Sequence, residues 1–297
     1  MKKIMIALCC CALLTQAVTA QEKTNYANRE MTERHADQDA KQTYMGSEKI
    51  IGSYVYGTNN ESVGDFNSVV LDEEGKICCA IVGVGGVAGV GETEIAVPWE
   101  AFNCECIMED GEKSCRATLP MSVEQLRGAP QLEADEYGDL YDDSWVETNA
   151  KFYGVKSPAT APKKDSMICV SDINGSQLTG DKGMETAAKS DADQETRTSN
   201  YSEDKVDLGT IEDVVFDLKE SKACYVIVGD DSGLLSEKHV AIPFSQVKFS
   251  RKENEYCAEV AATARKLEAA PNVTPGEYKE LDLESVRKQI DDAYMSN

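Results

Sequence analysis

Residues 77–82 form an unbroken apolar run rich in β-branched side chains, and residues 94–97 return to that character. Between them lie Gly83, Gly85, Gly86, Gly89 and Gly91, so the stretch reads as two antiparallel strands joined by a wide glycine tip. Pro98 has no N–H to give a ladder and ends the second strand. Upstream, residues 50–56 and 65–72 read as strands separated by a polar turn, and Glu73-Glu74-Gly75 leads into the glycine hairpin. Downstream, residues 104–109 and 113–119 flank Asp110-Gly111, the signature of a two-residue hairpin turn. Ser122-x-x-Gln125 and Ser144-x-x-Glu147 have capping-box spacing and predict two helices, ending near Gly128 and at Gly154.

The same pattern returns about 145 residues later. Residues 63–72 match 208–217, and Cys78-Cys79-Ala80-Ile81-Val82-Gly83 matches Cys224-Tyr225-Val226-Ile227-Val228-Gly229. Ala96-Val97-Pro98-Trp99 corresponds to Ala241-Ile242-Pro243-Phe244, and sliding 102–115 onto 244–257 sets Cys115 on Cys257. The chain is thus read as a duplication: residues 46–154 and 167–297, joined by a linker at 155–166. The second copy carries a polar insert at 179–204 and replaces most of the glycine tip with Gly229-Asp230-Asp231-Ser232-Gly233. Trp99 and Phe244 are expected to plug equivalent barrel ends. A duplicated domain that keeps a two-fold contact would make the copies an intramolecular pseudo-dimer.

Lys2 and Lys3 precede an apolar run at 4–14, and Val18-Thr19-Ala20 offers a cleavage site after Ala20. This is the pattern of a secretory signal peptide, too short to span a bilayer, and it places the protein in a periplasm or outside the cell. A lipoprotein signal at Cys9-Cys10-Cys11 is disfavoured, because Leu8 stands where a small residue is needed. Residues 21–45 are polar and read as a disordered leader. The formal charge is −23; without Lys2 and Lys3 the remainder has 28 basic residues against 53 acidic ones, a net −25. Such a chain repels nucleic acid and anionic membranes, and no later segment reaches the length of a membrane span. The acidic run at 133–147 reads as a solvated face.

Eight of the eleven cysteines lie beyond the signal, an even number that suits disulfides in an exported chain. Counting outward from Asp110-Gly111 sets Cys106 opposite Cys115, at a spacing a disulfide can use. Cys78 and Cys79 should face opposite sides of their strand. Thiol redox chemistry at Cys104-Glu105-Cys106 or Cys78-Cys79 lacks a visible source of positive charge, which ranks it below a structural role. His35 and His239 are the only histidines, which leaves no triad or His-rich metal site, and His239 reads as a solvated strand residue. Gly83-x-Gly85-x-x-Ala88 formally fits a dinucleotide fingerprint, but the following residues predict a strand, with no helix to receive a phosphate. No cofactor or metal is expected.

Ile-Ile-Gly-Ser-Tyr-Val at 50–55, Val-Gly-Asp-Phe-Asn-Ser-Val-Val-Leu-Asp-Glu-Glu-Gly-Lys at 63–76, the glycine loop and Ala-Val-Pro-Trp-Glu-Ala-Phe at 96–102 together resemble the PRC-barrel family. The resemblance is strong over 49–115 and weaker over 173–257. It implies a mainly β protein, two tandem small barrels of about six strands each with short helices after them, and a role in protein assembly or interaction. No catalytic residue set is carried over with it. The reading is a non-enzymatic envelope protein with unknown envelope partners, using the glycine loop of the first copy, exposed strand edges or the acidic face; thiol–disulfide exchange and acidic cation binding are the alternatives.

Overall fold

The computed structural model describes residues 44–85, 92–109, 111–132, 137–158, 160–163, 166–181, 205–229, 238–252, 255–276 and 278–295. Ala20, His35, Gly86, Gly89, Gly91 and most of the leader and of the 179–204 insert lie outside these residues.

The described chain opens with a short strand, β1 (Tyr44–Gly46). The first copy then contributes β2 (Tyr54–Tyr56), β3 (Ser62–Leu71), β4 (Ile77–Val84), β5 (Thr93–Pro98), β6 (Asn103–Glu109) and β7 (Glu112–Thr118). Helices α1 (Val123–Leu126) and α2 (Asp143–Tyr153) follow. After β8 (Ile168–Cys169) and the single turn α3 (Val170–Ile173), the second copy repeats the plan. Its strands are β9 (Gln177–Asp181), β10 (Lys205–Asp217), β11 (Lys222–Gly229), β12 (Val240–Pro243), β13 (Val247–Lys252) and β14 (Glu255–Val260). Helices α4 (Ala264–Ala269) and α5 (Glu284–Met295) close it. Each copy makes a strongly bent sheet in the same order, β5-β4-β3-β2-β7-β6 and β12-β11-β10-β9-β14-β13. The fold is mainly β, with six own strands per copy.

A seventh strand in each sheet comes from the other copy. β1, which precedes the first copy, pairs with β10 of the second; β8, which precedes the second, pairs with β3 of the first. The registers are equivalent: Met45↔Phe216 repeats as Ile168↔Leu71, and Gly46↔Val215 repeats as Cys169↔Val70. Between the barrels Lys76 bridges its own counterpart Lys222. The Ile77 N–H donates to Ser221 O at 2.9 Å and the Ala223 N–H to Gly75 O at 2.7 Å, a reciprocal pair of the kind an isologous two-fold contact makes. Trp99 is buried against Phe66 and Phe102 and its indole N–H donates to Ser221 Oγ at 3.1 Å, so it seals its barrel and touches the other one. One hydrophobic core accordingly runs through both copies, and Thr43–Asn297 forms one compact unit.

Four boundaries differ from the sequence reading. Residues 50–56 are not one strand, because Gly52 at φ +83° turns the chain and leaves only β2 extended, with Ile50 buried from the turn. Residues 44–46 of the expected leader are β1, and residues 179–181 of the expected insert complete β9, since each finds a ladder partner in β10. Ser122 caps α1 with its capping box, but α2 is capped by Asp142, whose carboxylate accepts from the Trp145 N–H at 2.8 Å and from Ser144 Oγ at 2.6 Å. Ser144 is thereby spent on Asp142 rather than on the helix.

The exchanged strands meet their hosts through different polar chemistry. In the second copy Asp213 is 2% exposed, and its carboxylate accepts from Ser47 Oγ, from Tyr278 OH at 2.6 Å and from the Val214 N–H at 2.8 Å. Gly46 makes room for it, since a Cβ there would collide with that carboxylate and lie 2.7 Å from the Tyr278 ring. In the first copy the equivalent positions are Ser68 and Cys169, which touch at 3.0 Å, and Ser68 Oγ also accepts from the Ser171 N–H at 3.1 Å. A small host residue with a larger guest replaces a large host with no guest side chain, so each junction stays filled.

Two predictions follow from this packing. Gly46→Ala should cost about 1–3 kcal/mol by overpacking and should loosen the amides of β10 in the second copy. Hydrogen exchange with unchanged β10 protection would show that β1 does not support that strand. Burial, opposed by the hydrogen bonds from Ser47 and Tyr278, holds the Asp213 carboxyl above its ordinary range. The stability tied to this group is therefore complete below the ordinary carboxylate range and falls as pH rises through the raised value. Melting curves followed upward from the ordinary carboxylate range, about pH 4, should fall for the wild type and flatten for Asp213→Asn; parallel curves would refute the assignment.

Candidate functional site

Three places carry the side chains singled out above: the glycine-loop end of the first barrel, the cysteine hairpin, and the junction between the barrels. At the first, β4 and β5 pair from Cys79↔Pro98 to Val84↔Thr93, so the described residues that follow the glycine segment form a strand, where a dinucleotide fingerprint needs a helix. Gly83 lies opposite Glu94, and the space where its Cβ would stand is filled by the Glu92 carboxylate. Asn67 Nδ2 donates to Glu92 Oε1 at 2.8 Å and to Glu94 Oε1 at 2.9 Å, which holds two carboxylates side by side. Burial first, then the charge of Glu92, raises the Asp65 carboxyl on the same strand pair.

Beside this cluster a cleft of about 260 Å³ opens between β5 and α1. Val84, Ile95 and Leu126 supply apolar lining, and Thr93, Arg127 and Gln131 add polar groups. Gln131 bridges Ile95, and the Leu132 N–H donates to Glu94 O at 3.0 Å, so the segment after α1 covers the edge of β5. The second copy ties down the equivalent positions differently. Glu212 replaces Asn67 and its carboxylate lies 2.9 Å from Nε2 of His239, the counterpart of Glu94. Lys238 Nζ donates to Glu268 O at 2.9 Å, and Asn272 Oδ1 accepts from the His239 N–H at 3.0 Å. His239 is thus a partly exposed partner of a carboxylate rather than a bare solvated residue.

The cysteine hairpin has the expected register, Cys106↔Cys115, and alternation puts Cys104 on the same face as Cys106. All eight described cysteines are free thiols in this structure, Cys106 and Cys115 among them. The match of Cys115 to Cys257 does not hold. Val55 pairs with Ala117 and Leu178 with Ala258, so the barrel-anchored counterpart of Cys115 is Tyr256 and that of Cys106 is Arg251. The first hairpin is longer by two cross-strand pairs, Met108↔Lys113 and Glu109↔Glu112, and sequence matching absorbed that difference as a one-residue slip. The extra rungs are used: Lys113 Nζ is 3.1 Å from Asp282 Oδ2 and donates to Tyr44 O at 3.4 Å, clasping both β1 and the chain before α5. In the second hairpin Tyr256 OH donates to Met167 O at 3.0 Å, the carbonyl equivalent to that of Tyr44.

At the junction, Cys169, Asp172, Arg251, Tyr137, Tyr141 and Tyr256 surround a cavity of about 10 Å³, the size of about one water. Burial pushes the Cys169 thiol up and keeps it protonated, and a substrate has no room there. Cys79 is buried and Cys78 half-buried on the other face of β4, as alternation requires. Among the described residues no cluster of three His, Cys, Asp or Glu side chains is placed to hold a metal ion, and no helix is long and apolar enough to cross a membrane.

Sequence reasoning missed Asp213, Lys113 and Arg127. Asp213 was legible in principle, since it stands where Ser68 stands in the repeat, inside an apolar run. Lys113 and Arg127 carried no signal, because what they reach is distant in sequence.

No curated protein matches the chain. The PRC-barrel domain family matches residues 43–112 and 201–256, one segment in each sheet; the second match starts beyond the insert and so leaves out β9. The two matched segments are consistent with tandem PRC-barrel domains.

Proposed function

We propose that this chain is an exported, non-enzymatic protein-interaction module of the cell envelope, and that it takes its partner at the glycine-loop end of the first barrel. The observation that carries this reading is the difference between two otherwise equivalent ends. The first has a cleft with an apolar lining and one guanidinium, Arg127; in the second, Lys238, His239 and Asn272 tie the corresponding strand to its neighbours. An apolar lining with a cationic group suits a short protein segment bearing an apolar anchor beside a carboxylate. The charged run at 2–3, the apolar run at 4–14 and Ala20 support export.

Site-specific photo-crosslinking in cells tests this. A crosslinker at Arg127 should yield a discrete adduct in the envelope fraction, and one at Glu268, its counterpart in the second copy, should not. Equal labelling at both positions, or recovery of the protein with its first 20 residues in the cytosol, would overturn the proposal.

A further inference from the structure

The three thiols of the first hairpin form an arrangement with no counterpart in the second. Glu109↔Glu112 closes a two-residue turn and must be a hydrogen-bonded pair, so alternation makes Cys106↔Cys115 a non-hydrogen-bonded pair. At such pairs the Cα atoms approach to about 4.5 Å, within the range a disulfide spans. Cys104 stands two rungs further, opposite Ala117, on the same face of the hairpin. Cys115 is 4% exposed, whereas Cys104 and Cys106 are partly open.

We propose that Cys106 and Cys115 are a thiol pair that is reversibly oxidised by small-molecule disulfides. Cys106 is the entry thiol, because it is the more accessible of the two opposed sulfurs; burial raises its thiol, and the Lys113 ammonium opposes that rise. Its proton leaves to solvent and the thiolate attacks one sulfur of R–S–S–R. The Cys106–S–S–R bond forms, the old disulfide breaks, and the expelled RS⁻ takes up a proton. Cys115, as thiolate, then attacks the Cys106 sulfur, forming the Cys106–Cys115 bond and expelling the second RS⁻. Two electrons pass from the pair to the small disulfide, which ends as two thiols.

Burial raises Cys106 as it raises Cys79 and Cys169, and it pushes Cys78 and Cys224 up to about 11, so the opposed register and the accessibility of Cys106 distinguish this pair. Because Lys113 on the same hairpin grips β1 and Asp282, the oxidised bond would brace the clasp that holds the exchanged strand.

The test is a glutathione disulfide titration of the reduced full chain, quenched by acid and alkylation and read by peptide mass spectrometry, with circular dichroism to follow the fold. A single intramolecular bond, Cys106–Cys115, is expected in the wild type. Cys115→Ser should trap glutathione on Cys106 at a level at least about tenfold above wild type. Cys104→Ser should form the same Cys106–Cys115 bond. The inference fails if Cys106 and Cys115 stay free in folded protein across the titration, if Cys104–Cys115 is the main product, or if glutathione on Cys106 is no higher in Cys115→Ser than in wild type.

Discussion

The exchange of β1 and β8 between the barrels is the constraint on which the rest of the structure depends. Each sheet has its outermost rung beside the long strand supplied by the segment that precedes the other copy. Neither half, cut at the duplication boundary, would keep all seven of its strands. A strand of two or three residues adds few hydrogen bonds of its own, each worth about 0.5–1.5 kcal/mol net. Its effect comes from where it lies: over Phe216 and Leu71, which are fully buried, and against the polar groups of Asp213 and Ser68. The bridge of Lys76 to Lys222 and the reciprocal bonds at Gly75 and Ser221 fix the angle between the barrels, and Trp99 reaches across the same line.

Within that frame the copies have diverged at matched positions. Asn67 faces Glu94 where Glu212 faces His239, Cys106 and Cys115 stand where Arg251 and Tyr256 stand, and Ser68 with Cys169 replaces Asp213 with Gly46. The first and last of these exchanges keep hydrogen-bonded partners while changing the chemistry on offer; the second sets two small thiols where the other copy has two large side chains. The second copy uses its equivalents to hold segments in place: Arg251 stacks over Tyr256, whose hydroxyl holds β8. The first copy leaves a cleft and a set of free thiols. A duplicated barrel can assign support to one copy and contact chemistry to the other, because the shared core supports both.

Much of the fold was legible because strands announce themselves by local pattern. The Asp110-Gly111 turn set the Cys106↔Cys115 register, and the repeat located both barrels. What could not be read was non-local. Residues 44–46 look like the tail of a polar leader until Val215 to Asp217 are available as a ladder partner, and a three-residue strand is too short to show a period. The true counterpart of Cys115 was hidden because a hairpin that gains two cross-strand pairs shifts its two arms in opposite directions, and sequence matching then finds a false cysteine pair. Of the candidate site, Gly83 and Gly85 were found and Arg127 was not, since α1 meets β5 only through the turn of the chain between them.

The central claim is that exchanged strands make two barrels into one folding unit, and the placement of tryptophan allows it to be measured directly. Trp99 and Trp145 both belong to the first copy, so their fluorescence follows that copy and, through the Trp99 bond to Ser221, its contact with the second. Equilibrium urea unfolding read by tryptophan emission should share its midpoint and slope with hydrogen exchange of β10 and β11 in the second copy. A second copy whose amides open in a separate transition, away from the tryptophan midpoint, would contradict the account.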